Sequence, residues 1–149
     1  MTAVELNEAP LAHYARIEFG LFFEVGSFME PIRGTLNGYL VAEHDGDPVG
    51  GVGWKPDPFG VPDVVWLIWG YLHPAKQRRG IGTVLFDELE RHLAGLGARK
   101  FYLDVGNEKE KAGAVNFCEK RGYVREGVLK DYWRAGEDFT IYAKELRPA

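Results

Sequence analysis

Two glycines, Gly80 and Gly82, separate a continuous apolar run at residues 64–72 from a helical pattern that begins at Thr83. A strand, a glycine turn and a helix are therefore expected in this order. Such a turn points several unpaired backbone N–H groups, and the positive end of the helix dipole, at one place. Basic side chains precede the turn at Lys76, Arg78 and Arg79. The segment predicts an anion site, and its glycines allow the backbone to approach a phosphate closely.

Two familiar phosphate-binding motifs do not fit this turn. The dinucleotide-binding fingerprint requires a glycine or alanine where this chain has Leu85, and the P-loop requires a Gly-Lys-Ser/Thr sequence that is absent. A nucleotide-binding α/β domain of another kind remains one interpretation, and it predicts a preference for ATP or NAD. A capped helix with a solvated basic face remains a second interpretation.

The composition of the chain excludes several classes of protein. Its 149 residues, 46% of them hydrophobic and 27% charged, predict one globular domain over residues 1–149. A formal net charge of -4 argues against a nucleic-acid-binding surface. One cysteine allows no intramolecular disulfide, and the four histidines lack metal-ligand spacing, so no metal site is expected. No leader or membrane-spanning run is found, which predicts a cytoplasmic protein that does not bind membranes.

Hydrophobic periodicity, glycines and prolines divide the chain into elements. An Asp-Gly pair at residues 45–46 predicts a hairpin, and the apolar run predicts a central strand covered on both faces. The first half of the chain is expected to form a helix pair up to residue 36, strands at 38–43 and 48–54, an exposed loop at 55–63 and the strand at 64–72. The second half is expected to form a helix from 83 to 95 or 97, a strand at 100–105, a helix near 114–121, and a closing hairpin of 123–133 and 138–146. The apolar face of the first of these helices is marked by Ile81, Leu85, Leu89, Leu93 and Leu96.

Two blocks of this sequence resemble motifs of one enzyme family. The segment Gln-Arg-Arg-Gly-Ile-Gly at 77–82 resembles motif A of the GCN5-related N-acetyltransferases (GNAT), and residues 114–123 resemble their Ala-x-x-Phe-Tyr-x-x-x-Gly-Phe pattern. Segments 103–105, 132–133 and 136–138 further resemble enzymes that acetylate the N-terminal alanine of a ribosomal protein. The resemblance runs from about residue 10 to the end. It implies an α/β (α+β) acyl-CoA N-acyltransferase fold, in which helices flank a mixed central sheet in a single domain.

The resemblance also implies where acetyl-coenzyme A (acetyl-CoA) binds. The central strand and the strand at 101–105 should splay apart, with the pantetheine arm of the coenzyme in the gap. Backbone groups of Tyr71 and Leu72 would hydrogen-bond this arm, and Asn107 is the candidate for a further contact, since the family's usual asparagine position holds a lysine. The pyrophosphate is expected on the turn formed by Gln77, Arg78, Arg79, Gly80, Ile81, Gly82 and Thr83.

The implied reaction is the direct attack of a neutral amine on the acetyl thioester in a ternary complex. It needs a base for the ammonium and a proton donor for the departing thiolate. Many members of the family carry a glutamate in the central strand, but residues 64–72 contain no carboxylate. We predict Asp104 as the base, because it aligns with a glutamate of the resembling ribosomal-protein enzymes. A solvated strand aspartate, or a water chain that replaces the base, is the alternative.

The proton donor is harder to assign, because the family's usual tyrosine position holds Cys118. A cysteine at helical spacing beside a phenylalanine is more typical of a small buried hydrophobe. We predict Tyr132 as the donor. The alignment places Trp133 equally well, although an indole cannot act as a proton-transfer acid.

Two further questions stay open at the level of sequence. The acceptor is an amine, either a small molecule such as an arylalkylamine, polyamine or amino sugar, or a peptide N-terminus. By resemblance, a homodimer through the terminal strands is also open. A different class of function is a non-catalytic acyl-CoA sensor or interaction module, which the missing strand carboxylate and the cysteine at position 118 favour.

Overall fold

A computed structural model describes residues 13–16, 21–26, 38–44, 47–72 and 80–146 of the chain. Within these ranges, eight strands form one sheet and two helices pack against it. The elements are β1 (His13–Arg16), β2 (Leu21–Gly26), β3 (Gly38–His44), β4 (Asp47–Pro56), β5 (Val64–Leu72), α1 (Ile81–Gly95), β6 (Lys100–Asp104), α2 (Ala112–Lys120), β7 (Val124–Arg134) and β8 (Glu137–Glu145).

The sheet is mixed, as the sequence predicts. Its strands lie in the order β1-β2-β3-β4-β5-β6-β8-β7. Strands β5 and β6 run parallel, and every other neighbouring pair in the described sheet runs antiparallel. Helix α1 lies in the connection between the two parallel strands. Parallel strands need such a crossover, which places a helix against the sheet beside them.

The prediction of a helix pair up to residue 36 is wrong for the part of this segment that the structure describes. Residues 13–16 and 21–26 are strands that form a hairpin, and β2 pairs along its whole length with β3. The segment Leu21–Gly26 holds two phenylalanines and a valine, which favour a pleated strand. Pairing with β3 also satisfies backbone groups on β2, so tertiary context overrides the helical spacing. The rest of the predicted helix pair lies outside the described residues.

The predicted hairpin and the bounds of the central strand are confirmed. His44 lies opposite Asp47, so only residues 45 and 46 connect β3 to β4, as the Asp-Gly signal predicts. Strand β5 spans the whole apolar run. However, only its first half is covered on both faces, because Val65 is buried whereas Ile68 is 47% exposed.

The loop before β5 begins later than predicted, because β4 extends to Pro56. The carboxylate of Asp57 accepts hydrogen bonds from the backbone N–H groups of Phe59 and Val61. It also accepts one from the indole N–H of Trp66 at 3.0 Å. One aspartate therefore shapes the loop and orients a side chain of the central strand.

Helix α1 buries the apolar face that its spacing predicts. Leu85, Leu89 and Leu93 are at most 2% exposed, whereas Leu96 is 51% exposed because the helix ends at Gly95. Gly97 then adopts a left-handed conformation with φ of 96°. Backbone N–H groups of residues 97 and 98 donate to carbonyls of the last turn, which closes the helix C-terminus.

Replacement of Leu89 by alanine is expected to lower the free energy of unfolding by about 2–5 kcal/mol, because a fully buried leucine leaves a cavity. Urea unfolding measures the change. The matched control is Leu96→Ala on the same helix, whose exposed side chain should change stability by about 0.5 kcal/mol or less. Equal effects of the two substitutions would contradict the packing of α1 on the sheet.

Candidate active site

The parallel pairing between β5 and β6 is short. It covers three residue pairs, the last of which is Trp66 opposite Tyr102. Strand β5 then continues to Leu72, whereas β6 ends at Asp104 and makes no further pairs with β5. On its other edge, β6 pairs with β8 along its whole length. A gap therefore opens between the two strands, as the sequence resemblance implies. We call the space beside residues 67–72 the strand gap.

A β-bulge marks the point where the strand gap opens. Gly53 lies opposite Trp69 and Trp54 lies opposite Leu67, so the backbone of Ile68 has no partner in β4. A bulge bends its strand and re-aims the backbone groups beside it. Sequence analysis missed this feature. The sequence feature that could have indicated the bulge is Gly70, since an isolated glycine in a strand indicates a bulge or a close backbone approach.

The helix-bearing side of the strand gap has room for a ligand. Gly70 is exposed, and among the described residues a Cβ atom built on it would meet only the Val52 side chain, at 3.8 Å. Val52 belongs to the core under α1, so this side of β5 faces the helices. A larger residue at position 70 would fill space that the glycine leaves open. Among the described residues, the β5 backbone at position 70 is therefore open on this side.

The N-terminus of α1 leaves backbone N–H groups without helical partners, as the predicted anion site requires. Gly80 is its N-cap, with φ of 82°, no side chain caps the helix, and no acid lies in the first turn of this fully described helix. The first-turn N–H groups of Ile81, Gly82 and Thr83 have no partner within the helix. The remaining predicted contacts of the turn lie outside the described residues, at Gln77, Arg78 and Arg79.

Asp104 lies on the sheet face opposite the helices. Phe101 and Leu103 are buried in the core with the α1 leucines, so alternation along β6 turns Tyr102 and Asp104 to the other face. The Asp104 carboxyl is solvent-accessible at the end of β6. Desolvation raises the pKa of this carboxyl. Two smaller effects lower the pKa, namely hydrogen bonds from the backbone N–H groups of residues 104 and 106 and the positive charge of Lys55. A raised pKa makes this carboxylate a stronger proton acceptor than an ordinary aspartate.

Aromatic side chains continue across this face toward the closing hairpin. Trp66 stacks on Tyr102 at 4.8 Å between ring centroids and on Phe139 at 6.1 Å. Phe139 in turn stacks on Tyr132 at 5.0 Å. We call these four residues the aromatic row. Of these four, sequence analysis assigned only Tyr132 to the site. Alternation along the strand predicts that Tyr102 shares a face with Asp104, but it gives no sign of the stacking with Trp66 and Phe139.

The predicted base and acid reach the same face of the sheet. Asp104 lies opposite Ile141 of β8, and Phe139 is two residues earlier on that strand, hence on the same side. Tyr132 stacks on Phe139 and is 56% exposed. Trp133 packs edge-on against Phe139 and is 57% exposed. The catalytic roles of Asp104 and Tyr132 stay predictions.

Asn107 is bound to the tip of the closing hairpin. Its side-chain N–H donates to the carbonyl of Gly136 at 2.7 Å, and its side-chain oxygen accepts from the backbone N–H of Asp138 at 2.8 Å. The amide therefore ties the segment after β6 to the β7–β8 turn. The predicted contact between Asn107 and pantetheine stays a prediction, and in this structure both ends of the amide serve the hairpin.

The lone cysteine lies buried on α2. Burial is the main cause that raises the pKa of the Cys118 thiol to about 11. The thiol is therefore protonated at neutral pH and packs as a small apolar group.

A polar cluster that sequence analysis missed joins the two helices to the sheet. The Glu90 carboxylate of α1 accepts hydrogen bonds from Arg121 at 3.0 Å, from the Tyr123 hydroxyl at 2.8 Å and from the Lys144 ammonium at 2.7 Å. The Glu90 and Arg121 side chains are 12% and 8% exposed. Arg121 also donates to the Thr83 carbonyl in the first turn of α1. The cluster therefore holds the N-terminal turn of α1 against the end of α2.

Comparison with known proteins decides the family. A model of the acetyltransferase (GNAT) family matches residues 6–123, which is more than half of the chain. The chain belongs to the GNAT acetyltransferase family. Among curated GNAT relatives, it is similar to the S-(2-succino)cysteine N-acetyltransferase of Bacillus subtilis (strain 168), with 28% identity over 115 residues. The match covers 73% of this chain but only 66% of that enzyme, slightly less than two thirds.

Solved GNAT structures share the fold. A GNAT-family protein from Desulfovibrio desulfuricans superposes with a TM-score of 0.70 at 28% identity, covering 74% of this chain and 69% of that one. The ribosomal-protein-S18-alanine N-acetyltransferase from Escherichia coli gives 0.65 at 20% identity, covering 80% and 74%. A GNAT acetyltransferase from Elizabethkingia anophelis, solved with acetyl-CoA bound, gives 0.70 at 13% identity, covering 86% and 99%. The predicted acyltransferase fold is thereby confirmed.

The described ranges contain neither a candidate metal site nor a candidate membrane-spanning helix. No group of three or more His, Cys, Asp and Glu side chains there is arranged to hold a metal ion. In the same part of the chain, neither helix is long and apolar enough to cross a bilayer.

Proposed function

We propose that the protein transfers the acetyl group of acetyl-CoA to a primary amine, by direct attack within a ternary complex. The observation that carries the proposal is the strand gap, which opens after three parallel residue pairs. The uncapped N-terminus of α1, which follows β5 in the chain, supports it. Membership of the GNAT family supports it. We further propose one domain over residues 1–149, a cytoplasmic location and a homodimer.

The coenzyme would bind from the helix-bearing side. The pantetheine arm lies along the β5 backbone, where Tyr71 and Leu72 offer backbone hydrogen bonds and Gly70 leaves room. The pyrophosphate accepts hydrogen bonds from the first-turn N–H groups of α1, which the helix dipole strengthens. Charged and polar groups of the preceding turn, Gln77, Arg78 and Arg79, complete this contact.

The acceptor would approach from the other face. Asp104 takes a proton from the acceptor ammonium, and the neutral nitrogen attacks the acetyl carbonyl. A C–N bond forms, the C–S bond breaks, and Tyr132 protonates the departing thiolate. The attacking nitrogen loses its second proton to water, which restores the Tyr132 hydroxyl. Most of the acceleration comes from holding amine and thioester together, with backbone donors near the Ile68 bulge stabilising the oxyanion.

The experiment compares the thermal midpoint of the full chain with acetyl-CoA, desulfo-coenzyme A, ATP and NAD at matched concentrations. A ligand at about a hundredfold above its Kd adds about 2.7 kcal/mol of stability. We expect a rise with the two coenzymes alone, followed by amine-dependent release of free thiol from acetyl-CoA. Coenzyme binding without thiol release across the amine panel would identify a non-catalytic sensor. A larger shift with ATP or NAD would overturn the proposal.

A further inference from the structure

The aromatic row leaves apolar surface open on the acceptor side. Tyr132 and Trp133 are each more than half exposed, and Ile68 at the strand gap is 47% exposed. Ile68 borders the gap itself, whereas Tyr132 and Trp133 lie on β7 at the edge of the sheet, beyond β6 and β8. The Tyr132 ring is joined to the central strand through Phe139 and Trp66. Large exposed apolar groups gathered beside a cleft are typical of a ligand-binding surface.

The part of the hairpin that carries these side chains is held in place. Asp131 has a left-handed backbone with φ of 54°, and strand pairing is irregular between Leu129 and Arg134. The backbone N–H of Asp131 donates to the Asp138 carboxylate, and its own carboxylate accepts from the Gly136 N–H at 2.8 Å. Together with the two hydrogen bonds of Asn107, these contacts fix the tip. A surface that is ordered before binding loses little entropy when a ligand arrives.

Charge on this face selects among amines. The Asp104 carboxylate attracts one ammonium group to the end of β6. Lys55 lies opposite Trp66 on the neighbouring strand, and its positive charge acts on Asp104. A second ammonium placed beside Lys55 would meet a like charge, which disfavours polycationic amines. The Asp57 carboxylate near Trp66 already accepts hydrogen bonds from the Trp66 indole and from two backbone N–H groups of its loop.

From these observations we propose that the acceptor is a monoamine with an aromatic ring on a short chain, an arylalkylamine. Its ring packs against Tyr132 and Trp133 while its nitrogen reaches Asp104. Aromatic side chains favour such a ring through offset or edge-to-face contacts. This inference rests on the proposed acetyl transfer and names its substrate class.

The test measures kcat/KM of the full chain for 2-phenylethylamine, n-propylamine and spermidine by thiol release from acetyl-CoA. We expect 2-phenylethylamine to be favoured by at least about tenfold. Trp133→Ala should abolish most of this preference by raising KM for 2-phenylethylamine, with KM for acetyl-CoA unchanged. Trp133→Phe keeps a ring and should retain the preference.

The matched control is Val124→Ala, which trims an exposed apolar side chain at the opposite end of the same strand. It should leave all three rates unchanged. Preference for n-propylamine or spermidine, or an equal loss for all amines in Trp133→Ala, would overturn the aromatic acceptor while acetyl transfer still stands. Absence of thiol release with every amine, together with no thermal shift from acetyl-CoA, would overturn both proposals.

Discussion

Replacement of Glu90 by glutamine lowers the free energy of unfolding by about 3 kcal/mol, at the lower end of the range for breaking a buried ion pair. The carboxylate accepts hydrogen bonds from Arg121, Tyr123 and Lys144. Glutamine keeps the volume but leaves two cations without their shared negative charge. Arg121 retains Asp87 as a partner, which limits the loss. For a chain of this size we expect the melting temperature to fall by roughly 6–12 °C.

The control is Asp87→Asn, measured in the same urea and thermal unfolding experiments. Asp87 also binds Arg121, but its side chain is 64% exposed. Exposed ion pairs contribute about 1 kcal/mol or less. If both substitutions change stability by the same small amount, Glu90 does not hold the helices together as its contacts indicate.

The second large effect is expected for Asp104→Asn, which should lower kcat/KM for the amine by about 10²–10⁴-fold at neutral pH, because the base for the ammonium is lost. The defect should shrink as pH approaches about 10, where the acceptor amine is increasingly neutral without help. Steady-state thiol release from pH 6 to 10 measures both effects. The KM for acetyl-CoA should stay unchanged, since Asp104 faces away from the helices.

The free energy of unfolding of Asp104→Asn distinguishes a catalytic role of Asp104 from a structural one. In the folded protein the pKa of Asp104 is raised, so its ionised form is less favourable there than in the unfolded chain. Above both pKa values the carboxylate therefore opposes folding, and Asp104→Asn should be as stable as the original protein or more stable at pH 7. Asp47→Asn, at the exposed start of β4, is the control carboxylate. A rate within about threefold of the original for Asp104→Asn would exclude a general base at this position.

Features with local signals could be predicted from the sequence. The Asp-Gly pair predicted the β3–β4 hairpin, the apolar run predicted the bounds of β5, and leucine spacing predicted the buried face of α1. Alternation in β6 likewise separated Asp104 from Phe101 and Leu103. In each case the residues that decide the structure lie within a few positions of one another.

Features that depend on contacts between distant segments could not be predicted. Residues 21–26 suit helical spacing and strand propensity alike, and pairing with β3 decides between them. The bulge at Ile68 depends on the register between two strands. The Glu90 cluster needs α1, the end of α2 and β8 to meet, and no single stretch of sequence contains that information.

The short contact between β5 and β6 also has a consequence for how the molecule folds and opens. On one side β1–β5 form an antiparallel meander, and on the other β6, β8 and β7 pair antiparallel. Three parallel residue pairs form the seam between these halves of the sheet. Contacts between residues far apart in sequence form late, because loop-closure entropy must be lost first. We expect this seam to close late during folding, as does the pairing of β6 with β8, which joins residues even farther apart in sequence. A molecule bound across the strand gap should act as a cross-link that slows the opening of the seam.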